Sequence, residues 1–247
     1  LVGYIEDKIG RPADVIRKQT YAEVNEMLES GEVDFGFICS LSYVMGMDNG
    51  SLTGIAVPIV NGLGYYQSYL IVRSDSGIRS LEDLEGKTFA FTDPLSYSGH
   101  LSMLYLLKEK KSADESFFKD TFFTYSHDSS IQAVHKKIAD AASVDSIVFD
   151  ELARKQSEYI QDEYIIYKGP YAGMPPVVAS HTIDESLKNA FAEILLTMAD
   201  DRNGMKILSD LGYDKFAVPD DSSYDSVREA LEAVGTDAVS EPSSSAS

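Results

Sequence analysis

The sequence predicts an α/β protein, chiefly because short apolar runs typical of buried strands alternate with runs that carry apolar residues at helical spacing. This alternation is typical of parallel sheets flanked by helices. The chain has 247 residues, of which 44% are hydrophobic. It is therefore long enough and apolar enough to form one large domain or two medium ones with a substantial core.

The elements of the first part of the chain follow from apolar spacing and from the residues that interrupt it. Gly10 ends an opening helix, and Gly31 stops a helix that begins at Tyr21. Residues 65–73 alternate as a long strand does. The predicted elements are helix 1–9, strand 13–18, helix 21–30, strand 33–38, helix 41–47, strands 52–60 and 65–73, a helical turn at 81–84 and strand 87–92.

The second part opens with an amphipathic helix that runs to about Lys111. Leu101, Leu104 and Leu107 recur on one face of this helix, and lysines occupy its last turn. The strand at 175–180 returns to the first part of the fold. The further predicted elements are strand 122–125, helix 129–137, strand 141–144, helix 147–155, strands 164–167 and 175–180, and helices 183–198, 202–211 and 222–233.

Charge and cysteine content exclude several classes of function. The formal net charge is −19 at pH 7, and nucleic acid binding requires a basic face, so we expect no nucleic acid partner. No apolar run is long enough to span a membrane. Cys39 is the only cysteine, so no disulfide can form within the chain. An anionic ligand would have to be held by local N–H and O–H donors rather than by a general positive field.

The segment 93–100 is the most informative motif, because it places Ser96, Ser98 and Gly99 between a strand and a helix. The first N–H groups of a helix lack backbone partners, and the helix dipole adds partial positive charge there. Such a start can bind a tetrahedral oxyanion. Alternatively, one of the serines simply caps the helix.

Several segments, taken in order, resemble the phosphonate-binding proteins of ABC importers, the PhnD-like family. The loop Asp93-Pro94-Leu95-Ser96-Tyr97-Ser98-Gly99 is similar to the D-P-x-S-T-S-G loop of that family, with Tyr97 in place of the central Thr. The resemblance extends over roughly residues 1–215. The other matching segments are 20–23, 31–36, 66–78, 80–87, 126–134 and 139–142.

The resemblance implies a type II periplasmic-binding-protein fold, in which two α/β lobes are joined by two crossovers with the ligand in the cleft. Lobe one would comprise 1–70 plus 177–247, and lobe two 71–176. Family members have a strand before the position of Leu1, so we expect that strand to be missing from this chain. The Ser-rich residues 240–247 are expected to form a flexible tail.

The resemblance also assigns ligand contacts. Ser96 and Ser98 would donate to the anion, Gly99 would allow close backbone approach, and the Tyr97 phenol would line or reshape the cleft. His127 would donate whether charged or neutral, and we expect it to titrate between about pH 5 and 8. Asp145 has three open roles: accepting from a protonated oxyanion, pairing with an amine, or capping a helix. The candidate ligand-binding residues are Tyr21, Tyr66, Ser96, Tyr97, Ser98, Gly99, His127 and Asp145.

The function implied is capture of a phosphonate or related phosphorus oxyanion by hinge closure. The protein would work outside the cytoplasm, in the periplasm or lipid-anchored, as a monomer with an ABC permease as partner and without cofactor or metal. Segment 173–176 carries no acid to pair with an amine, which favours phosphonates without an amine, phosphite or phosphate.

Two other functions remain open, and a third is disfavoured. The same fold could be the extracytoplasmic sensor of a membrane receptor, or a degenerate homologue for another small anion. Catalysis is disfavoured, because the sequence has no G-x-S-x-G elbow, no H-E-x-x-H motif and no P-loop.

Overall fold

The computed structural model describes residues 1–110 and 115–239 and divides the chain into two compact units. The first unit contains Leu1–Tyr65 and Gly173–Tyr224, and the second contains Tyr66–Ala172 and the chain from Asp225 onward. The chain therefore passes between the units at 65/66, 172/173 and 224/225. The expected tail at 240–247 and the helix end at Lys111 lie outside the described residues.

The regular elements of the described residues alternate as the sequence predicts. The helices are α1 (Val2–Ile9), α2 (Tyr21–Glu29), α3 (Ser40–Asp48), α4 (Ser102–Glu109), α5 (His127–His135), α6 (Ser146–Arg154), α7 (Glu185–Leu196), α8 (Arg202–Leu211) and α9 (Asp225–Val234). The strands are β1 (Phe35–Phe37), β2 (Leu52–Ile59), β3 (Tyr65–Arg73), β4 (Thr88–Phe91), β5 (Asp120–Phe123), β6 (Ala141–Asp145), β7 (Glu163–Gly173), β8 (Val177–Ser180) and β9 (Lys215–Ala217). No helix among them is long and apolar enough to cross a membrane.

The first unit contains a four-stranded sheet in the order β1-β8-β2-β9. Strand β8 pairs antiparallel with both β1 and β2, and β9 pairs antiparallel with β2. The expectation of a parallel sheet is therefore wrong for this unit. The reason is that β8 belongs to the returning part of the chain and inserts between β1 and β2, which keeps those two strands apart.

The strand predicted at 13–18 is not formed. Its residues are exposed and lie outside regular structure, and Val15 and Ile16 are 59% and 48% exposed. The local apolar pattern indicated a strand, but a strand of this length needs a partner edge to satisfy its backbone groups. Strand β9, by contrast, was not predicted, because its three residues carry too short a pattern.

The second unit contains a five-stranded sheet in the order β5-β4-β6-β3-β7. Strands β5, β4 and β6 are parallel, and β3 runs antiparallel to β6. One cluster of buried side chains contains Phe89, Phe91 and Leu107, and a second contains Ile71, Ile131 and Phe149. Because β5, β4 and β6 are parallel, their carboxyl ends meet at one edge of the sheet.

Helix α9 packs in the second unit, whereas the sequence assigned residues 177–247 to lobe one. Its apolar residues Val227 and Ala230 are fully buried. Glu229 accepts a hydrogen bond from the hydroxyl of Tyr105 on α4 at 3.0 Å. Helix α9 packs beside α4 because its apolar face is covered there. Residues 225–239 therefore belong to the second unit and not to the expected lobe one.

The side chain of Glu163, at the start of β7, predicts a pH-dependent stability. Both of its carboxylate oxygens are buried without a hydrogen-bond partner among the described residues. Burial raises the pKa of Glu163 from 4.5 to about 8, against the smaller lowering by Arg73. The folded chain thus binds this proton more tightly than the unfolded chain does. Its free energy of unfolding should therefore fall as pH rises from about 4.5 to about 8.

The variant Glu163→Gln cannot ionise, so we expect it to lose this decline. Urea unfolding at about pH 5, 7 and 8.5 should show the variant gaining roughly 1–2 kcal/mol on the parent protein between the lowest and highest pH, a value reduced for partial exposure. The exposed Glu158→Gln is the matched control and should follow the parent. Parallel pH profiles for Glu163→Gln and the parent would contradict the assignment.

Candidate functional site

The carboxyl edge of the second sheet gathers three helix starts. Strand β4 leads to a π-helical turn (Tyr97–Leu101) that continues into α4, β5 leads to α5, and β6 leads to α6. Ser96, Ser126 and Asp145 are the respective N-caps, and each side chain accepts from a backbone N–H of its own helix. Ligands in open α/β sheets bind outside this edge, where helix dipoles also favour an anion.

The loop after β4 is held by its own backbone and by Ser96. The Ser96 Oγ accepts from the N–H of Gly99 at 3.0 Å, so this serine caps the helix start. The N–H of Thr92 donates to the Gly99 carbonyl at 3.0 Å, and the N–H of Leu101 donates to the Ser96 carbonyl at 3.1 Å. The loop is fully buried and closed on itself.

The carbonyl of Ser98 is fixed by two serines that the sequence did not single out as site residues. The hydroxyls of Ser68 on β3 and Ser143 on β6 lie 2.6 and 2.7 Å from this oxygen, and 2.8 Å from each other. Ser68 stood inside a segment that resembles the family and Ser143 directly followed one, but nothing local indicated their target. The Ser98 side chain itself shows no hydrogen bond within residues 1–110 and 115–239.

Gly99 is required by packing inside the loop. A Cβ at this position would overlap the side chain of Thr92 and lie 2.9 Å from the Ser96 Oγ. The sequence assigned Gly99 to close approach of a ligand, whereas the structure shows the close approach of Thr92. A side chain here would push the loop away from the end of β4.

His127, the first residue of α5, lies where its Nδ1 accepts a hydrogen bond. The N–H of Asp145 donates to this atom at 3.1 Å, and Thr92 Oγ1 lies at 3.1 Å as well. Since Nδ1 is an acceptor, the neutral ring carries its proton on Nε2 and can donate from there. Burial lowers the pKa of His127 from 6.5 to about 4. The expectation that it titrates between pH 5 and 8 is therefore wrong, because the ring stays neutral there.

Asp145 is buried at the end of β6 and caps α6. Its Oδ1 accepts from the N–H of Ile147 at 2.6 Å, so of its three open roles the capping one is observed. Burial raises the pKa of Asp145 from 3.8 to about 7, against the smaller lowering by hydrogen bonds from Ile147 and Val148. The protonated form of the carboxyl group therefore persists to a much higher pH than in an exposed aspartate.

Tyr66 and Tyr97 form an edge-to-face pair beside the loop, with ring centroids 6.3 Å apart. Both are almost fully buried. The Tyr97 phenol forms a hydrogen bond with Ser226 on α9, and burial raises its pKa to about 12. The sequence left open whether this phenol lines or reshapes the ligand site; in the second unit it points to α9.

Tyr21 belongs to the first unit and His100 to the second. Tyr21 begins α2 of the first unit, behind a capping box of Thr20 and Glu23, and is not grouped with the residues above. His100, which the sequence placed next to the site rather than in contact, packs edge-on against Phe91 and Phe123. In the described residues, no group of three or more His, Cys, Asp or Glu side chains is placed to hold a metal ion.

The packing at Gly99 predicts that Gly99→Ala destabilises the second unit. Overpacking against Thr92 should lower the free energy of unfolding by roughly 1–3 kcal/mol. Gly3→Ala on α1 is the matched control: nothing lies near its Cβ, and alanine favours a helix by about 1 kcal/mol, so it should be neutral or stabilising. Urea unfolding of both variants distinguishes these signs. If Gly99→Ala left the midpoint unchanged, the loop would not be packed as described.

Comparisons with known proteins identify the family of the chain. Residues 1–224 match the family model described as "ABC transporter, phosphonate, periplasmic substrate-binding protein". The chain is 27% identical over 231 residues to the phosphonates-binding periplasmic protein of Escherichia coli K12, covering 91% of this chain and 68% of that protein. It is 30% identical over 165 residues to the phosphate-import protein PhnD of Mycolicibacterium smegmatis, covering 63% of this chain and 50% of that protein.

A solved structure supports the fold. The binding-protein component of a phosphonate ABC transporter from Pseudomonas aeruginosa superposes with a TM-score of 0.85 at 24% identity, covering 93% of this chain and 78% of that one. The type II periplasmic-binding-protein fold expected from the resemblance is thereby confirmed. The chain belongs to the family of periplasmic substrate-binding proteins of phosphonate ABC transporters.

Proposed function

We propose that this protein captures a phosphorus oxyanion outside the cytoplasm and delivers it to an ABC permease. The observation that carries the proposal is the convergence of three helix starts and a neutral histidine donor at one edge of the second sheet. These groups offer N–H and O–H donors without a fixed cation. Such a set suits a tetrahedral anion, as backbone-lined helix starts do elsewhere.

The ligand class follows from the charges at this edge. Asp145 has a raised pKa and His127 a lowered one, so neither carries a full charge that a ligand must neutralise near pH 7. An alkylammonium group would need a buried carboxylate, which costs free energy when it is unpaired. We therefore propose a phosphonate without an amine, phosphite or phosphate. The names of the two curated relatives, one for phosphonates and one for phosphate import, support this range.

Within the site we propose that Ser98 and His127 donate directly to the anion. Ser96 contributes chiefly by capping the loop, since its Oγ is already engaged by Gly99. Tyr66 and Tyr21 enter as contacts through the resemblance alone, as do the monomeric state and an attachment by lipid.

Alanine substitutions of the two loop serines, Ser96 and Ser98, should have different effects on affinity and stability. Ser98→Ala should weaken binding of methylphosphonate by roughly 1.5–3 kcal/mol, because one charge-assisted hydrogen bond is lost, and should leave stability nearly unchanged. Ser96→Ala should also lower the free energy of unfolding by about 1 kcal/mol, because the helix start loses its cap. Isothermal titration and urea unfolding measure the two effects.

The matched control is Ser157→Ala, which removes a serine cap from the 3-10 turn at Glu158–Ile160 in the same unit. It should leave affinity at the parent value. Titration of the parent with methylphosphonate, phosphite, phosphate and sulfate names the ligand. If none of them bound to the folded parent, the proposed function would be overturned; unchanged affinity in Ser98→Ala would place the site elsewhere.

Asp145 predicts how affinity depends on pH. Its pKa of about 7 means that the carboxyl group becomes charged as pH rises from about 6 to 8, and a negative charge beside the anion opposes binding. Asp145→Asn keeps a capping side chain but cannot ionise. The ratio of the parent Kd to the variant Kd should therefore increase with pH, and taking this ratio cancels the titration of the ligand. A ratio that stays constant from pH 6 to 8 would show that Asp145 does not face the anion.

A further inference from the structure

Tyr97 stands where the loop of the family that this sequence resembles has a threonine, and the surroundings of Tyr97 give this difference a specific role. Its ring is 1% exposed and meets Tyr66 edge-on. Its hydroxyl forms a hydrogen bond with Ser226. A buried tyrosine whose hydroxyl has a partner fastens two elements, whereas a threonine at this position would be too short to reach α9.

The hydrogen bond from Tyr97 continues beyond Ser226. The Ser226 Oγ has two partners: it donates to the carbonyl of Tyr171 at 2.8 Å and forms a hydrogen bond with the Tyr97 phenol. A hydrogen-bonded chain therefore runs from the loop to α9 and on to the end of β7.

The residues of this chain lie at every passage between the units. Tyr66 is the first residue after the chain enters the second unit, Tyr171 precedes the exit after Ala172 by one residue, and Ser226 follows the re-entry at Asp225 by one residue. The ring of Tyr97 thus contacts Tyr66, where the chain enters the second unit. Its hydroxyl contacts Ser226, where the chain re-enters that unit, and Ser226 in turn contacts Tyr171, just before the chain leaves it. Within the second unit, the loop that begins with Ser96 is tied to all three.

We propose that Tyr97 is a positioning residue. It couples the loop after β4, which begins with Ser96, to helix α9 and to the points where the chain passes between its units. The coupling rests on the proposed function, since the loop is taken as the ligand site. Ligand binding that orders the loop also stabilises the Tyr97–Ser226–Tyr171 chain and with it α9. By thermodynamic linkage, a change that loosens α9 also weakens ligand binding.

The remaining contacts of α9 indicate how strongly this helix is held apart from the Tyr97 contact. Val227 and Ala230 are buried, but the other fastenings of α9 to α4 are exposed: the hydrogen bond from Tyr105 to Glu229 and the one from Lys108 to the Ala233 carbonyl. Exposed polar contacts contribute little net stability. The hydrogen bond from Ser226 to Tyr171 is exposed as well. Among these polar contacts, only the one made by the Tyr97 phenol comes from a buried side chain.

The test is backbone hydrogen exchange of the whole chain with and without methylphosphonate, for the parent, Tyr97→Phe, Ser226→Ala and the double variant. Phenylalanine keeps the ring against Tyr66 and removes only the hydroxyl. In the parent, saturating ligand should slow exchange in α9 as well as in the loop. In either single variant the loop should still be protected by ligand, but the protection of α9 should be lost.

Affinity gives the second readout. Each single variant should bind methylphosphonate about 3- to 10-fold more weakly, the loss expected for one neutral hydrogen bond, and the double variant should be no weaker than the singles because they break the same chain. Tyr164→Phe, an exposed tyrosine at the opposite end of β7, is the matched control and should behave as the parent. Tyr97→Thr should loosen α9 further, and Tyr97→Phe keeps the test valid if that variant does not fold.

The outcomes separate this inference from the proposed function. If the parent binds ligand and α9 gains no protection, or if Tyr97→Phe matches the parent in exchange and affinity, the coupling is overturned while the function stands. If the parent binds no phosphorus oxyanion, the function falls. In that case faster exchange of both the loop and α9 in ligand-free Tyr97→Phe still supports the hydrogen-bonded tie, and unchanged exchange overturns it.

Discussion

The second unit depends on how the chain satisfies its backbone groups where three parallel strands end together. Parallel strands deliver three helix starts to one edge, and each start brings N–H groups without helical partners. Ser96, Ser126 and Asp145 satisfy some of them from within each helix. The remaining donor capacity makes the edge attractive to an anion, so that the binding chemistry is a consequence of the topology.

A second layer of hydroxyl groups makes that edge rigid. Ser68 and Ser143 hold the Ser98 carbonyl from two neighbouring strands, and Thr92 links the loop to His127. Hydroxyls suit this task because they are small and can either donate or accept. Their buried network fixes the orientation of the loop without introducing charge, and the amide of Asp145 fixes the tautomer of His127 in the same way.

Much of this could be predicted from the sequence, and the exceptions have physical reasons. Strand 65–73 and helix 202–211 were predicted with the observed bounds, because each has an unbroken period. The place of α9 could not be predicted, since an apolar face such as that of Val227 and Ala230 does not specify what covers it. The position of Ser96, Ser98 and Gly99 at a helix start was predicted from the strand and helix patterns on either side of them. Ser68, Ser143 and the neutral state of His127 depend on tertiary contacts and were missed.

The uncharged donor set at the sheet edge has a consequence for how a ligand arrives. The formal net charge of the chain is −19, and the donors described at this edge of the second unit are dipoles rather than cations, so a small anion is repelled at long range and attracted only at contact. Dissolved salt screens the repulsion, with a Debye length of about 8 Å at physiological ionic strength, while the dipoles act within hydrogen-bonding distance and are barely affected. The association rate should therefore rise with ionic strength, the opposite of what a lysine- or arginine-lined anion site shows.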